Sequence, residues 1–238
     1  MKFYDLHVHS VFSEGESSLE EIASVAKKLG YTGICFTTYI LRKREEDILK
    51  TEIERVKNNI GIEIFLGFEA RNIRELKKLA SIRRNFDILL VRGGDLKLNR
   101  AAVETPQVDI LTHPEYERND SGLNHVLAKL ASKNNVAIEI NFREILATNG
   151  YHRAKVLKNI RQNILLAKKY NAPIILCSGA ISHYELKDPY FMISMAVQLG
   201  MSLKEAKISI SKVPEGIINR SAERRDKNWI MPGVKVIE

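Results

Sequence analysis

Short apolar runs rich in β-branched residues alternate along this chain with longer segments whose apolar positions recur every three or four residues. The first run, Phe3-Tyr4-Asp5-Leu6-His7-Val8-His9, predicts a short buried strand with two histidines at its outgoing end. Six further strands are predicted at residues 32–37, 62–69, 87–91, 109–112, 136–141 and 173–177. Between them, Ser17 and Ser18 ahead of Glu20 and Glu21 form a capping box for a helix on Leu19, Ile22, Ala23 and Ala26, which Gly30 ends. A helix over 44–58 carries the inner stripe Ile48, Ile53 and Val56, and Asn72 caps another over 73–82. Helices follow over 96–103, 123–132 and 154–170, the last buried through Leu157, Ile160, Ile164 and Ala167. Asp188 and Pro189 open a helix to Leu199, Ser202 opens one through Ala206, and a terminal helix spans 214–225.

Strand and helix repeated about seven times predict a parallel sheet with right-handed crossovers. An open nucleotide-binding sheet carries a glycine loop after its first strand, whereas Gly93-Gly94 follows the fourth here. The expectation is therefore an α/β fold, a distorted TIM-barrel-like β/α barrel over residues 1–225 with a C-terminal tail at 226–238. No linker or low-complexity tract divides the chain, and the tail has no period of its own.

Composition changes the picture little. A hydrophobic share of 45% and a charged share of 28% describe a globular protein. No apolar run reaches membrane-spanning length, and a strand begins at once, leaving no room for a signal peptide. Cys35 and Cys177 lie inside apolar strands and read as buried thiols of a cytoplasmic protein. Charge changes it more: the formal balance is +8, with a pI near 9.4, which tilts the partners toward a polyanion such as nucleic acid.

Candidate chemistry gathers where the predicted strands end. The first strand delivers His7 and His9, the second Thr37, Thr38 and Tyr39, the third Gly67 and Glu69. Arg92 follows the fourth, His113-Pro114 the fifth, Asn141 and Arg143 the sixth, and Ser178-Gly179 the seventh. In an extended chain residues two apart share a face, so His7 and His9 can present paired imidazoles to one metal ion. With Glu69 and His113 they make enough ligands for a single divalent ion, zinc or manganese. The plainer reading of the same roster is a polar rim satisfied by water and neighbours. His125 reads as a cap or core residue, and His152 and His183 as loop residues.

Asp5-Leu6-His7-Val8-His9-Ser10, Ser13-Glu14-Gly15, the Tyr31–Thr37 run, Gly67-Phe68-Glu69 and Asp109 through His113-Pro114 resemble the PHP (polymerase and histidinol phosphatase) family. That resemblance implies a distorted barrel with a metal cluster that hydrolyses phosphoesters. The departures are as informative. Thr37-Thr38-Tyr39 stands for the family's Thr-Asp-His, Arg92-Gly93-Gly94 for a histidine, and Ser178-Gly179-Ala180 for Ser-Asp-Ala-His. A multi-metal hydrolase needs carboxylates and imidazoles there to generate hydroxide. The cluster therefore reads as dismantled, with His7, His9, Glu69 and His113 as remnants.

The second half resembles the ribonuclease P protein component 3 family (p30-type). The residues that carry this are Gly122-Leu123-Asn124-His125 through Lys129, Asn141-Phe142-Arg143 through Leu146, Arg153-Ala154-Lys155, Ser178-Gly179-Ala180 and the segment from Ala206 to Pro214. The resemblance implies a subunit of the endoribonuclease that removes the 5′ leader of precursor tRNA. Its partners would be ribonuclease P RNA, precursor tRNA and other protein subunits, with the RNA doing the chemistry and no membrane involved. On that reading the RNA-contact candidates are Arg92, Lys129, Arg143, Arg153, Lys155, Lys158, Arg161, Arg220, Arg224 and Arg225. The competing expectation is a divergent metal-dependent phosphoesterase using His7, His9, Glu69 and His113.

Overall fold

Seven short apolar strands pair in parallel and in chain order: β1 (Tyr4–Val8), β2 (Gly33–Thr38), β3 (Glu63–Ala70), β4 (Ile88–Arg92), β5 (Ile110–Thr112), β6 (Ala137–Asn141) and β7 (Ile174–Cys177). The computed structural model describes residues 1–231 and 234–235. β7 is too short to pair fully with β1, and the seam is closed locally. Val8 bridges Ala180, the Gly179 N–H donates to the His7 carbonyl at 3.0 Å, and the His9 N–H to the Ala180 carbonyl at 2.8 Å. The buried Asp5 carboxylate accepts from the Ser178 N–H at 3.2 Å across the same seam. Burial, only partly offset by these bonds, raises Asp5 to about 6. The result is the TIM-like barrel expected from the alternation of strands and helices.

Helices α1 (Leu19–Lys28), α2 (Lys43–Ile60), α3 (Ile73–Ser81), α4 (Leu96–Glu104), α5 (His125–Asn134), α6 (Phe142–Leu146) and α7 (Gly150–Lys169) follow strands β1 to β6. α8 (Pro189–Gln198), α9 (Leu203–Ser209) and α10 (Lys212–Arg225) follow β7, and β8 (Trp229–Met231) pairs antiparallel with β9 (Val234–Lys235). Residues 232–233 and 236–238 of the expected tail lie outside the described residues. The barrel interior is filled by Tyr4, Leu6, Cys35, Ile88, Leu90, Ile110, Ala137, Ile175 and Cys177. The larger apolar layer lies between the sheet and its helices.

Ser18, Asn72, Asp188 and Ser202 cap their helices as expected, and Ser18 with Glu21 completes the capping box. The differences have local causes. On α2, Leu49 is buried beside Ile53 and Val56 while Ile48 is half exposed, because the stripe sits one residue later. The fifth helix starts at His125 rather than 123, since Asn124 accepts from the Val126 and Leu127 N–H groups. His125 is thus an exposed first-turn residue, neither cap nor core. α7 begins four residues before the expected 154, which puts His152 on a helix, and its inner face buries Asn159 and Asn163 while Leu157 stays half-buried. α6 was not anticipated.

The lower end of the barrel is stoppered by α10, which places Ile217 against the interior cluster. Asp87 and Asp109 fix it there. Asp109 accepts from the Leu89 N–H at 2.9 Å and from Arg224 at 2.8 Å, and pairs with the buried Arg83. Asp87 accepts from the Leu66 N–H at 2.8 Å and pairs with Arg225. Arg220 donates to the Asn135 carbonyl at 3.0 Å. Removing one partner of a buried ion pair leaves the other charge uncompensated. Asp109→Ala is therefore expected to cost about 3–5 kcal/mol, measured by chemical denaturation. A loss below about 1 kcal/mol, the range of a surface ion pair, would show that α10 is held by its apolar face alone.

Candidate functional site at the barrel mouth

The upper mouth assembles residues from five strands and the loops that follow them. An irregularity in β1 between Asp5 and Val8 lets the strand turn His7 inward while Val8 joins the outer core. His7 Nε2 lies 3.0 Å from His9 Nε2, and His7 Nδ1 lies 2.7 Å from Oε1 of Glu139 on β6. His9 Nδ1 lies 3.0 Å from Ser13 Oγ, whose hydroxyl donates to the Thr37 carbonyl at 3.0 Å. Glu69 on β3 accepts from Thr112 Oγ1 at 2.9 Å and sits 3.8 Å from His7 and 3.9 Å from His113. The other Glu139 oxygen accepts from the His113 N–H at 3.0 Å and from Asn141 at 3.1 Å. All of these side chains are buried except Ser13, which is half-buried.

Burial disfavours the His7 imidazolium, but the charge and hydrogen bond of Glu139, with Glu69 behind, outweigh it and raise His7 to about 9. Glu139, despite its own burial, is held at about 2 by the same partner. Burial and the His7 charge press His9 down to about 3, so it stays neutral. Together these fix the protons. Imidazolium His7 donates to Glu139 from one nitrogen and to neutral His9 from the other, and His9 donates onward to Ser13. His113 is also raised: burial opposes the shift, but Glu144, 3.2 Å from Nδ1, and then Glu139 and Glu69 outweigh it.

Ligand atoms of His7, His9 and Glu69 lie within 4.8 Å of one another. Glu69 Oε2 and His113 Nε2 are buried with no hydrogen-bond partner. The donor set fits one divalent ion that would displace the proton between the histidines. It does not fit a cluster. Thr38 donates to the Phe12 carbonyl at 3.0 Å, and Arg92 fills the space beyond His9, donating to Tyr39 at 3.0 Å and pairing with Glu14 at 3.2 Å. Glycine is required at the other two departures. A Cβ on Gly179, at φ +62°, would meet Asn141 Oδ1 at 2.4 Å, and one on Gly93 would meet the Thr112 carbonyl at 2.4 Å.

The mouth thus unites His7, His9, Glu69 and His113, with Arg92 half-buried at its edge. Sequence reasoning missed Glu139, Glu144 and Glu14. Glu139 left a signal, a lone carboxylate inside the apolar run Val136-Ala137-Ile138-Glu139-Ile140. The remaining basic candidates lie elsewhere. Lys129, Arg153, Lys158 and Arg161 are exposed on α5 and α7, and Lys155 is half-buried there. Arg143 faces Glu185 at 3.4 Å, and Arg220, Arg224 and Arg225 belong to the α10 stopper.

Fold and mouth define a TIM-like barrel whose upper end is tied together by a proton-bridged histidine–carboxylate network. Residues 2–226 match the family described as RNase P subunit p30, and the chain belongs to that family. It is 37% identical over 240 residues to ribonuclease P protein component 3 of Methanosarcina mazei, covering 100% of this chain and 96% of that protein. The namesake from Methanococcoides burtonii is 39% identical over 239 residues, covering 99% and 94%. Among solved structures, a chain of the cryo-EM structure of archaeal ribonuclease P with mature tRNA superposes with a TM-score of 0.82, at 31% identity and 98% coverage of both chains. Organophosphorus hydrolase from Deinococcus radiodurans, with a TM-score of 0.53, 9% identity and coverage of 90% and 92%, shares the fold alone.

The His7–Glu139 pair makes stability depend on pH. His7 lies above its ordinary 6.5, so its contribution is complete below that pH and is lost as pH rises through about 9. Glu139 lies below its ordinary 4.5, so its contribution is complete above that pH and is lost toward pH 2. Denaturation across pH is expected to show Glu139→Gln strongly destabilised near pH 6, with its deficit shrinking above pH 9. A deficit independent of pH would mean that His7 does not carry the bridging proton.

Proposed function

We propose that this chain is a protein subunit of ribonuclease P, the ribonucleoprotein endoribonuclease that removes the 5′ leader of precursor tRNA, and that it has no active site of its own. The observation that carries this reading is the end-to-end correspondence, TM-score 0.82, with a chain of an archaeal ribonuclease P bound to mature tRNA. Its partners are ribonuclease P RNA, precursor tRNA and the other protein subunits. Among the described residues no helix is long and apolar enough to cross a membrane. The reading assigns the protein to the cytoplasm.

Charge distribution supports RNA contact on one face. α1 and α2 balance their charges, and α2 pairs Lys43 with Asp47, Lys50 with Glu46 and Arg55 with Glu52. α5 carries Lys129 and Lys133, and α7 carries Arg153, Lys155, Lys158, Arg161, Lys168 and Lys169, with no carboxylate in either helix. That excess equals the formal +8 of the whole chain. Arg92, Arg143, Arg220, Arg224 and Arg225 are engaged within the fold and rank below the α5–α7 set as RNA contacts.

A second reading concerns the mouth. The unpartnered Glu69 Oε2 and His113 Nε2 favour retention of one divalent ion, zinc or manganese, by a barrel of PHP-like descent. Such an ion would hold the mouth together. With Thr38, Tyr39, Arg92 and Gly179 where further ligands would stand, it would not activate water.

Two outcomes are expected. The purified chain turns over neither precursor tRNA nor small phosphoesters, and leaving it out of a reconstitution with cognate RNA and partner subunits lowers 5′ processing. Full processing without it would end the proposal, and metal-dependent phosphate release abolished by His9→Ala would establish the phosphoesterase instead. In the same reconstitution, replacing both Lys158 and Arg161 by Ala should reduce the slope of log affinity against log salt by about 2, near one per phosphate contact. An unchanged slope would remove this face from the RNA interface.

A further inference from the structure

Two tyrosines stand almost clear of the fold on either side of α6. Tyr151, in the first turn of α7, and Tyr184, in the loop after β7, are each 80% exposed. Each ring is braced by a histidine. The Tyr151 and His152 ring centres lie 6.0 Å apart at 73°, and those of His183 and Tyr184 lie 3.9 Å apart at 39°. His183 is anchored, its Nδ1 2.8 Å from Ser17 Oγ and its backbone N–H donating to the same oxygen at 3.1 Å. Tyr184 is thus mounted on a fixed ring and not on a loose loop.

α6 joins the two. At one end Arg143 meets Glu185, the neighbour of Tyr184, at 3.4 Å. At the other, Arg153, two residues past Tyr151, donates to the Leu146 carbonyl at 3.5 Å. Five helical residues span about 7.5 Å, and α6 carries both of these contacts. Among the nearby carboxylates, Glu144 faces His113, Glu185 faces Arg143 and the Ile181 N–H, Asp188 caps the first turn of α8, and Glu21 is held by Ser18, while Glu16 adjoins the loop through its N–H bond to the Ile181 carbonyl. Exposed Arg153, Lys158 and Arg161 continue along α7.

We infer that this ledge takes unpaired nucleotides of an RNA, with bases stacked on Tyr151 and Tyr184 and phosphates against the cations of α7. The inference rests on the RNA reading above and adds a contact mode to it. Bases that are not paired offer both faces to aromatic side chains, and such stacking tolerates any sequence. A protein-docking face would present a continuous apolar patch with few charges at its centre. Here the rings stand beside the exposed guanidinium and ammonium groups of α7, which complements a polyanion with exposed π faces.

The test uses the full chain with a short single-stranded RNA and a duplex of equal length, at low salt. Tyr151→Ala and Tyr184→Ala should each weaken single-strand binding roughly 5- to 150-fold, the range for one lost base stack. Duplex binding and the salt slope should not change, and Tyr→Phe at either position should restore affinity because the π face is kept. Circular dichroism should show all four variants folded, since both tyrosines are mostly exposed to solvent. If the alanine variants hold single strands like the parent while Lys158→Ala with Arg161→Ala loses them, stacking is wrong and the RNA reading survives. If the parent binds neither RNA, both are overturned. Alanine variants that keep RNA but lose a partner subunit from the assembled enzyme would make the ledge a protein contact and refute the inference.

Discussion

The proton shared among Glu139, His7 and His9 is the constraint on which the mouth depends. Two ring nitrogens 3.0 Å apart in a buried barrel end repel, lone pair against lone pair, unless a hydrogen or a metal ion lies between them. In a metal enzyme that is the ion. Here a proton is sufficient, because Glu139 balances the charge from behind and its second oxygen is saturated by His113 N–H and Asn141. The network ties β1 to β6 directly and reaches β3 and β5 through Glu69 and Thr112. The histidines therefore retain a structural use whether or not a metal binds. Their presence alone is no argument for hydrolysis.

The packing around the same network leaves no room for the further ligands that a metal cluster would need. Gly179 and Gly93 stand where a side chain would strike Asn141 or the Thr112 backbone, and Arg92 with Tyr39 and Glu14 fills the space beyond His9. Burial opposes the Glu14 carboxylate, but its bond to Tyr39 and the charges of His9 and Arg92 hold it at about 2. A second cation beside Arg92 would meet that fixed positive charge. Several residues would have to change together to build a multi-ion centre there.

The strands were legible because each is an apolar run between helix signals, and a fully covered parallel strand needs nothing more to be recognised. Caps made most helix starts readable: Ser18, Asn72, Asp188 and Ser202 are side chains whose role is local. What escaped was set by distant partners. Ile48 and Leu49 are equivalent to any periodicity argument, and only the packing of α2 decides which is covered. α6 is five residues, too short to show a period. Glu139 was passed over because a carboxylate in an apolar strand acquires its meaning from His7, 132 residues away. The basic candidates were found as residue types, but only the fold separates those committed to Asp87 and Asp109 from those left facing solvent.

That separation bears on how the two ends of the barrel divide their work. Arg83, Arg224 and Arg225 are positive residues in the sequence, yet in the fold they cancel against Asp109 and Asp87 and hold the stopper in place. The cations of α7 have no such carboxylates in their own helix, and among the described residues only Lys168 reaches one elsewhere, Glu205. An unbalanced row on a rigid helix is costly through self-repulsion unless a polyanion neutralises it. The fold places the row on a 20-residue helix pinned by Asn159, Ile160, Asn163, Ile164 and Ala167. Rigid placement of positive charge lets a scaffold select a shape of RNA, since cations that could follow any phosphate would prefer none.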